Sequence, residues 1–139
     1  MKRNVILKTT VFLMVSMLFF GCSKSESNLL VGTWKSVRKN DVTDITHTYT
    51  FTNSGTYTWR QHGKQKPYSS SPWITIDDKE SGTYAYDASS KTIAFSVAEY
   101  NGSAYSNTYL CYVQTLSDNT LVLIKNYQNG PVTETFTKQ

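Results

Sequence analysis

Residues 46–60 read THTYTFTNSGTYTWR. From Thr46 to Thr52 the pattern alternates strictly. His47, Tyr49 and Phe51 fall on one face, and Thr48, Thr50 and Thr52 on the other. A period of two is the mark of a β-strand with one buried face. Asn53-Ser54-Gly55 then offers a tight turn, with glycine free to take the positive φ a hairpin needs. Residues 56–60 resume the alternation through Tyr57 and Trp59. The stretch describes a β-hairpin, and the pattern continues on both sides of it.

Upstream, residues 30–38 predict a first strand anchored by Trp34 and Val37, followed by a polar connection at 40–44. Downstream, residues 81–86 place Tyr84 and Tyr86 on one face, and 92–97 alternate Ile93, Phe95 and Val97. Residues 106–116 form the longest strand, then 121–124 and 132–138 follow. Turns at 87–91, Asn101-Gly102, 117–119 and Asn129-Gly130 separate them. Residues 61–79, with Gly63, Pro67 and Pro72, read as irregular, with a short strand around Trp73, Ile74 and Ile76. After Cys22 no stretch has the i, i+3, i+4, i+7 spacing of an amphipathic helix. Short sequential strands without crossover helices predict an all-β antiparallel meander. Eight such strands remove their edges by closing into an up-and-down barrel. A β-sandwich is the competing architecture.

The N-terminus has a different composition. Lys2, Arg3 and Lys8 surround an otherwise apolar start, and residues 9–20 carry no charge. A basic segment followed by an apolar run of about 7–15 residues is a secretory signal. The run is shorter than the roughly 20 residues a spanning helix needs. The whole chain has a formal charge of +4; without those three cations it has eleven basic and ten acidic residues, a net +1. A near-neutral domain lacks the electrostatic footprint of a nucleic-acid partner.

Phe19-Phe20-Gly21-Cys22 resembles the bacterial lipobox. The resemblance implies a lipoprotein signal peptide over residues 1–21, removed by cleavage, and acylation of Cys22 with palmitate-type chains. Each buried methylene contributes about 0.8 kcal/mol, so the two or three chains of a bacterial lipoprotein hold durably. Residues 22–28, ending in SKSESN, then form a lipidated flexible tether, and residues 29–139 form the domain. Ser23 after the cysteine implies the outer membrane, by analogy with other lipoproteins. Cys111 is expected as a small buried hydrophobe, since residues 108–116 place no positive charge near the thiol.

Gly32-Thr33-Trp34, the segment YTFTNSGTYTW at 49–59, YVQTLSDNTLVLI at 112–124 and ETFTK at 134–138 are together similar to the lipocalin-like domains of small Bacteroidetes lipoproteins. The resemblance spans residues 29–139. It implies a lipocalin-like barrel with Trp34 packed across the closed end, as a structural residue.

The chain carries few residues in chemically suggestive patterns. His47 shares its face with Tyr49 and Phe51 and reads as a core or rim residue; His62 reads as solvated. Asp77, Asp78 and Glu80 read as a solvated turn. No nucleophile elbow, glycine-rich phosphate loop or spaced Cys/His/Asp cluster occurs. Neither enzymatic activity nor a metal or other cofactor is expected. The aromatic residues carry the functional expectation. Tyr57, Trp59, Tyr84 and Tyr86 are the candidate ligand-binding residues. The expected function is a membrane-anchored barrel that binds a small apolar ligand or an envelope partner through its open end. The alternative is a structural or interaction lipoprotein of the envelope with no small ligand, gripping a glycan or protein through Tyr68, Trp73, Tyr100 and Tyr105. Half a dozen inward aromatics, at about 150–250 Å² buried each, predict a filled barrel with at most a shallow pocket at its mouth, rimmed by residues 61–79.

Overall fold

The computed structural model describes residues 25–139. The expected signal peptide and the expected lipidation site at Cys22 lie outside the described residues. The elements are α1 (Glu26–Leu30), β1 (Gly32–Asn40), β2 (Thr43–Phe51), β3 (Thr56–Gln65), β4 (Ile74–Asp87), β5 (Thr92–Tyr100), β6 (Ser103–Leu116), β7 (Thr120–Tyr127) and β8 (Gly130–Lys138). Each strand pairs antiparallel with the next, and β8 returns to β1, closing an eight-stranded up-and-down barrel. The sandwich alternative is overturned by the seam itself, where Trp34 pairs with Lys138 and Lys35 with Thr137.

The hairpin of residues 46–60 forms in the register its alternation requires, with Tyr49 opposite Trp59 and Phe51 opposite Tyr57. Gly55 turns with φ of 77°. Register shifts at Ser81/Gly82, Val97/Glu99 and Val113/Thr115 bend the β4–β7 side so that the sheet can curl on itself.

Two expectations at element level are corrected. Residues 61–79 are not one irregular segment. β3 runs on to Gln65, and β4 starts at Ile74 and continues unbroken through Asp87. Only residues 66–73, which contain Pro67 and Pro72, connect them. Gly, Gln, Lys and Asp are poor strand formers alone, but here the ladder from Gln65↔Ile74 to Thr56↔Thr83 holds them. Residues 26–30 are likewise neither tether nor strand. They form a helical turn at the closed end, where Leu30 is fully buried and its carbonyl accepts the Trp34 indole N–H at 2.7 Å. Glu26 accepts from Lys91 Nζ at 2.6 Å and from the Tyr86 hydroxyl at 2.9 Å.

The core fills this closed half. Leu30, Trp34, Phe51, Tyr57, Ile93, Phe95, Val113, Leu121, Leu123 and Phe136 are buried there together with Tyr49 and Cys111. The turns at 41–42, 66–73, 101–102 and 128–129 mark the opposite, open end. No helix among the described residues is long and apolar enough to cross a membrane.

Candidate functional site

Inside the barrel the core ends in an aromatic floor. Phe95 stacks on Tyr109 at 4.7 Å and meets Tyr57 edge-on at 4.7 Å, while Tyr49 lies 5.7 Å from Phe95 and 5.5 Å from Phe136. Above this floor the inward positions of the same strands become polar. His47 precedes Tyr49 on β2, Glu80 faces inward on β4, Lys125 follows Leu123 on β7, and Glu134 precedes Phe136 on β8.

At that level the wall opens. β6 and β7 pair from Leu116↔Leu121 only as far as Cys111↔Lys125. Residues 103–110 of β6 stay with β5, while Asn126 and Tyr127 stay with β8. A cavity of about 330 Å³ occupies the gap. Tyr49, Trp59, Tyr109, Leu110 and Tyr127 form its apolar walls, and Glu80, Asn107, Lys125 and Asn126 contribute polar groups. The expectation of a filled barrel holds for the closed half. What differs is that the space lies half open in the wall between β6 and β7 rather than at the mouth, with a volume at the lower end of small-molecule sites, roughly 300–1,000 Å³. Two things leave the space: charged side chains stand at inward positions where apolar ones would have packed, and β6 diverges from β7. Residues 66–73 stand at the open end, but none of them lines this cavity. A smaller polar recess of about 220 Å³ adjoins it, sharing Lys125 and Tyr127 and including Arg38, His47 and Glu134.

The charges inside are arranged in two groups. Glu80 Oε1 accepts hydrogen bonds from the hydroxyls of Tyr57 and Tyr109, each at 2.6 Å. Burial first, and then the neighbouring acid, pushes the Tyr57 phenol far above its ordinary range; burial does the same to Tyr109, with Tyr49 and Glu80 adding to it. Across the cavity, Glu134 is 8% exposed and hydrogen-bonds His47 Nδ1 through Oε1. Lys125 Nζ lies 3.8 Å from Glu134 Oε2, 5.0 Å from the Tyr49 ring centre and 5.9 Å from that of Trp59. Burial alone would raise the Glu134 carboxyl, but His47, Lys125 and the Ser36 hydroxyl together hold it below its usual range. Trp59 Nε1 is buried and has no hydrogen-bond partner among the described residues.

The four aromatics singled out in the sequence divide. Trp59 lines the cavity, and Tyr57 lies beneath it, holding Glu80. Tyr84 and Tyr86 belong to the closed end, where their hydroxyls donate to the Thr52 carbonyl at 2.8 Å and to Glu26. The acidic trio is not a turn but part of β4. Asp77 points outward to Arg60, at 2.7 and 3.1 Å, whereas Glu80 points in. Sequence reasoning missed Glu80, Tyr109, Lys125 and Glu134. The available signal was phase: Lys125 is in step with the buried Leu121 and Leu123, and Glu134 with Phe136. Cys111 is a buried free thiol, as its apolar strand suggests.

No protein-family model matches this chain, and no curated protein does. Among solved structures, Japanin from Rhipicephalus appendiculatus, bound to cholesterol, is similar to it. That likeness covers 78% of this chain and 74% of that chain at 10% identity, with a TM-score of 0.43. At this level nothing about ligand or partner follows from it. The eight-stranded barrel described above stands on its own strand pairing.

Proposed function

We propose that this chain is an envelope lipoprotein of the lipocalin-like kind found in Bacteroidetes, held on the outer membrane by lipid on Cys22, whose barrel takes a small apolar ligand into the cavity between β6 and β7. The observation that carries the ligand reading is the cavity itself. It has aromatic and aliphatic walls and a few placed polar groups, the usual make-up of a small-molecule site. Binding rather than catalysis is the proposal, because the interior acids are engaged by phenols and by His47 instead of standing beside a nucleophile. Nucleic acid is not proposed as a partner, given the near-neutral charge after the signal.

The anchor reading rests on the apolar run that ends in Gly21-Cys22. An extended chain spans about 3.3–3.6 Å per residue, and Glu26 is already tied to Lys91 and Tyr86 at the closed end. Lipid on Cys22 would thus hold the closed end toward the bilayer and leave the cavity facing away. The ligand reading is tested by titrating the chain with a naphthylamine dye that fluoresces in apolar surroundings. Saturable uptake, displaced by unlabelled apolar compounds, is expected; a linear, non-saturating response rejects it.

A second reading, an envelope interaction protein without a small ligand, has its own observation. Tyr100 and Tyr105 form an exposed pair with ring centres 5.9 Å apart near the open end, and Tyr68 and Trp73 are exposed on the 66–73 connection. Retention on an immobilised glycan that is lost in Tyr105→Ala, with dye uptake absent from both proteins, would favour it.

A further inference from the structure

Where the wall divides, β6 is left with a free backbone edge. The Val113 N–H donates to the Lys91 carbonyl at 2.7 Å, on the β5 side. Along an antiparallel strand the backbone groups face the two neighbours in turn, residue by residue. Cys111 and Tyr109 therefore bond toward β5, while Tyr112 and Thr108 face the β7 side. Tyr112 has its partner there in Ile124. The pairing ends at Cys111↔Lys125, so Thr108 has no strand opposite it. A side chain marks the same direction: the Thr108 N–H donates to Asn107 Oδ1 at 2.9 Å, and Asn107 lines the gap.

Natural proteins blunt such edges with lysine, proline or a bulge. Residues 103–113 contain no charged residue and no proline. The register shift against β5 begins only beyond the Val97↔Asn107 pair, which leaves residues 107–110 as regular strand. Leu110, 65% exposed, stands on the outer side of this edge, and Tyr109 lines the cavity on the inner side. An edge of backbone donors and acceptors recognises another extended backbone, and the neighbouring side chains select what that backbone carries. Here they are apolar or neutral, so an uncharged segment fits.

We propose that residues 107–110 of β6 receive a short, extended, uncharged peptide segment of an envelope protein as an added strand, its carbonyl replacing Asn107 Oδ1 at the Thr108 N–H. The other strand that could pair here is β6 of a second copy. Two identical strands paired antiparallel in one sheet are related by a two-fold axis normal to that sheet, which points the two barrels in opposite directions. Lipid on Cys22, as proposed above, would hold both closed ends at one bilayer and so disfavours that arrangement.

The probe is an acetylated, amidated hexapeptide of alternating threonine and valine, dye-labelled and followed by fluorescence anisotropy with the full chain. Its control is the same peptide N-methylated at every interior residue, which keeps the side chains and lacks the interior donors. The plain peptide should bind saturably, and the methylated one about tenfold more weakly. Thr108→Pro removes an N–H that takes no part in the β5 ladder, and should weaken the plain peptide by about tenfold. Asn107→Ala removes the competing acceptor and should tighten it by about two- to threefold. Should Thr108→Pro fail to fold by circular dichroism, the methylated control and Asn107→Ala still decide. No saturable binding at about 1 mM peptide, equal affinity for the methylated form, or an affinity unchanged in both variants overturns the proposal. A dimer in analytical ultracentrifugation that Thr108→Pro dissolves also overturns it, and gives the edge to a second copy instead.

Discussion

Trp34 at the closed end and Glu134 in the charged layer above the aromatic floor are buried for different reasons. Trp34 has 0% exposure, donates to the Leu30 carbonyl and lies 4.9 Å beneath Lys138 Nζ. Trp34→Ala should cost about 3–5 kcal/mol in denaturant unfolding, and Trp34→Phe distinctly less, since the ring volume is largely kept. A near-wild-type midpoint for Trp34→Ala would contradict this packing. Glu134 is a buried acid held ionised by its partners, and its carboxyl lies below the ordinary 4.5. A lowered native pKa contributes stability above the unfolded value, and that contribution is lost as pH falls through the native one. Glu134→Gln should therefore lower stability at neutral pH by about 1.5–3 kcal/mol and flatten the decline below about pH 4.5 seen in the wild type. Cys111 gives a third measurement at this scale. Burial pushes its thiol up to about 11. It should resist a disulfide reagent in the native chain at pH 8 and react fully once the chain is unfolded; a fast native reaction would place the thiol on the surface.

At the scale of the element, β4 shows how pairing overrides propensity. Its first half, from Ile74 to Lys79, has too much charge for a strand formed by side-chain preference alone, yet it pairs in register with β3 from Gln65 back to Arg60. Two glycines permit the close approaches this needs. A Cβ on Gly63 would stand 2.1 Å from the Asp44 carbonyl oxygen, at a φ of 147°, and one on Gly82 would stand 2.0 Å from the Ser96 carbonyl oxygen at the bulge. Both contacts are with backbone, which cannot swing aside. Gly63→Ala should destabilise by about 1–3 kcal/mol or more, with amide exchange rising first along β2 and β3. Gly82→Ala should act on β4 and β5 in the same way. Unchanged protection in either variant would mean that the neighbouring strand can shift at little cost.

The whole barrel encloses three phenols that must remain neutral. Burial first, with neighbouring acids adding to it, raises Tyr49, Tyr57 and Tyr109 well above 10.0. A raised native pKa contributes stability that is complete below the unfolded value and lost as pH rises toward the native one. Stability should thus fall steeply above about pH 10, and a late set of tyrosines should ionise only as the fold is lost, followed by ultraviolet absorbance and circular dichroism on one sample. Ionisation of all tyrosines with the fold intact would show that the interior admits hydroxide. The same enclosure sets the polarity of the molecule. α1 and the apolar core close one end, while the charged layer and the β6–β7 gap open the other.

Alternation at residues 46–60, the turn glycines and the short sequential strands are local properties, so the all-β meander was legible in the sequence. Trp34 as a core anchor and Cys111 as a buried thiol were legible because each is apolar and in phase with the buried face of its strand. Val37, expected as a second anchor of β1, is instead 59% exposed, because it stands three residues from Trp34 and so on the opposite face. The candidate site was half legible. Trp59 and Tyr57 could be picked out as aromatic, whereas Tyr84 and Tyr86 look the same in sequence and differ only in which end of the barrel they face. Glu80, Lys125 and Glu134 come from three separate strands and acquire meaning only when closure brings them together. The gap between β6 and β7 has no local signature at all. It exists because two neighbouring strands stop pairing at Cys111 and Lys125, a result of bulges and curvature summed around the whole barrel, which only the tertiary structure decides.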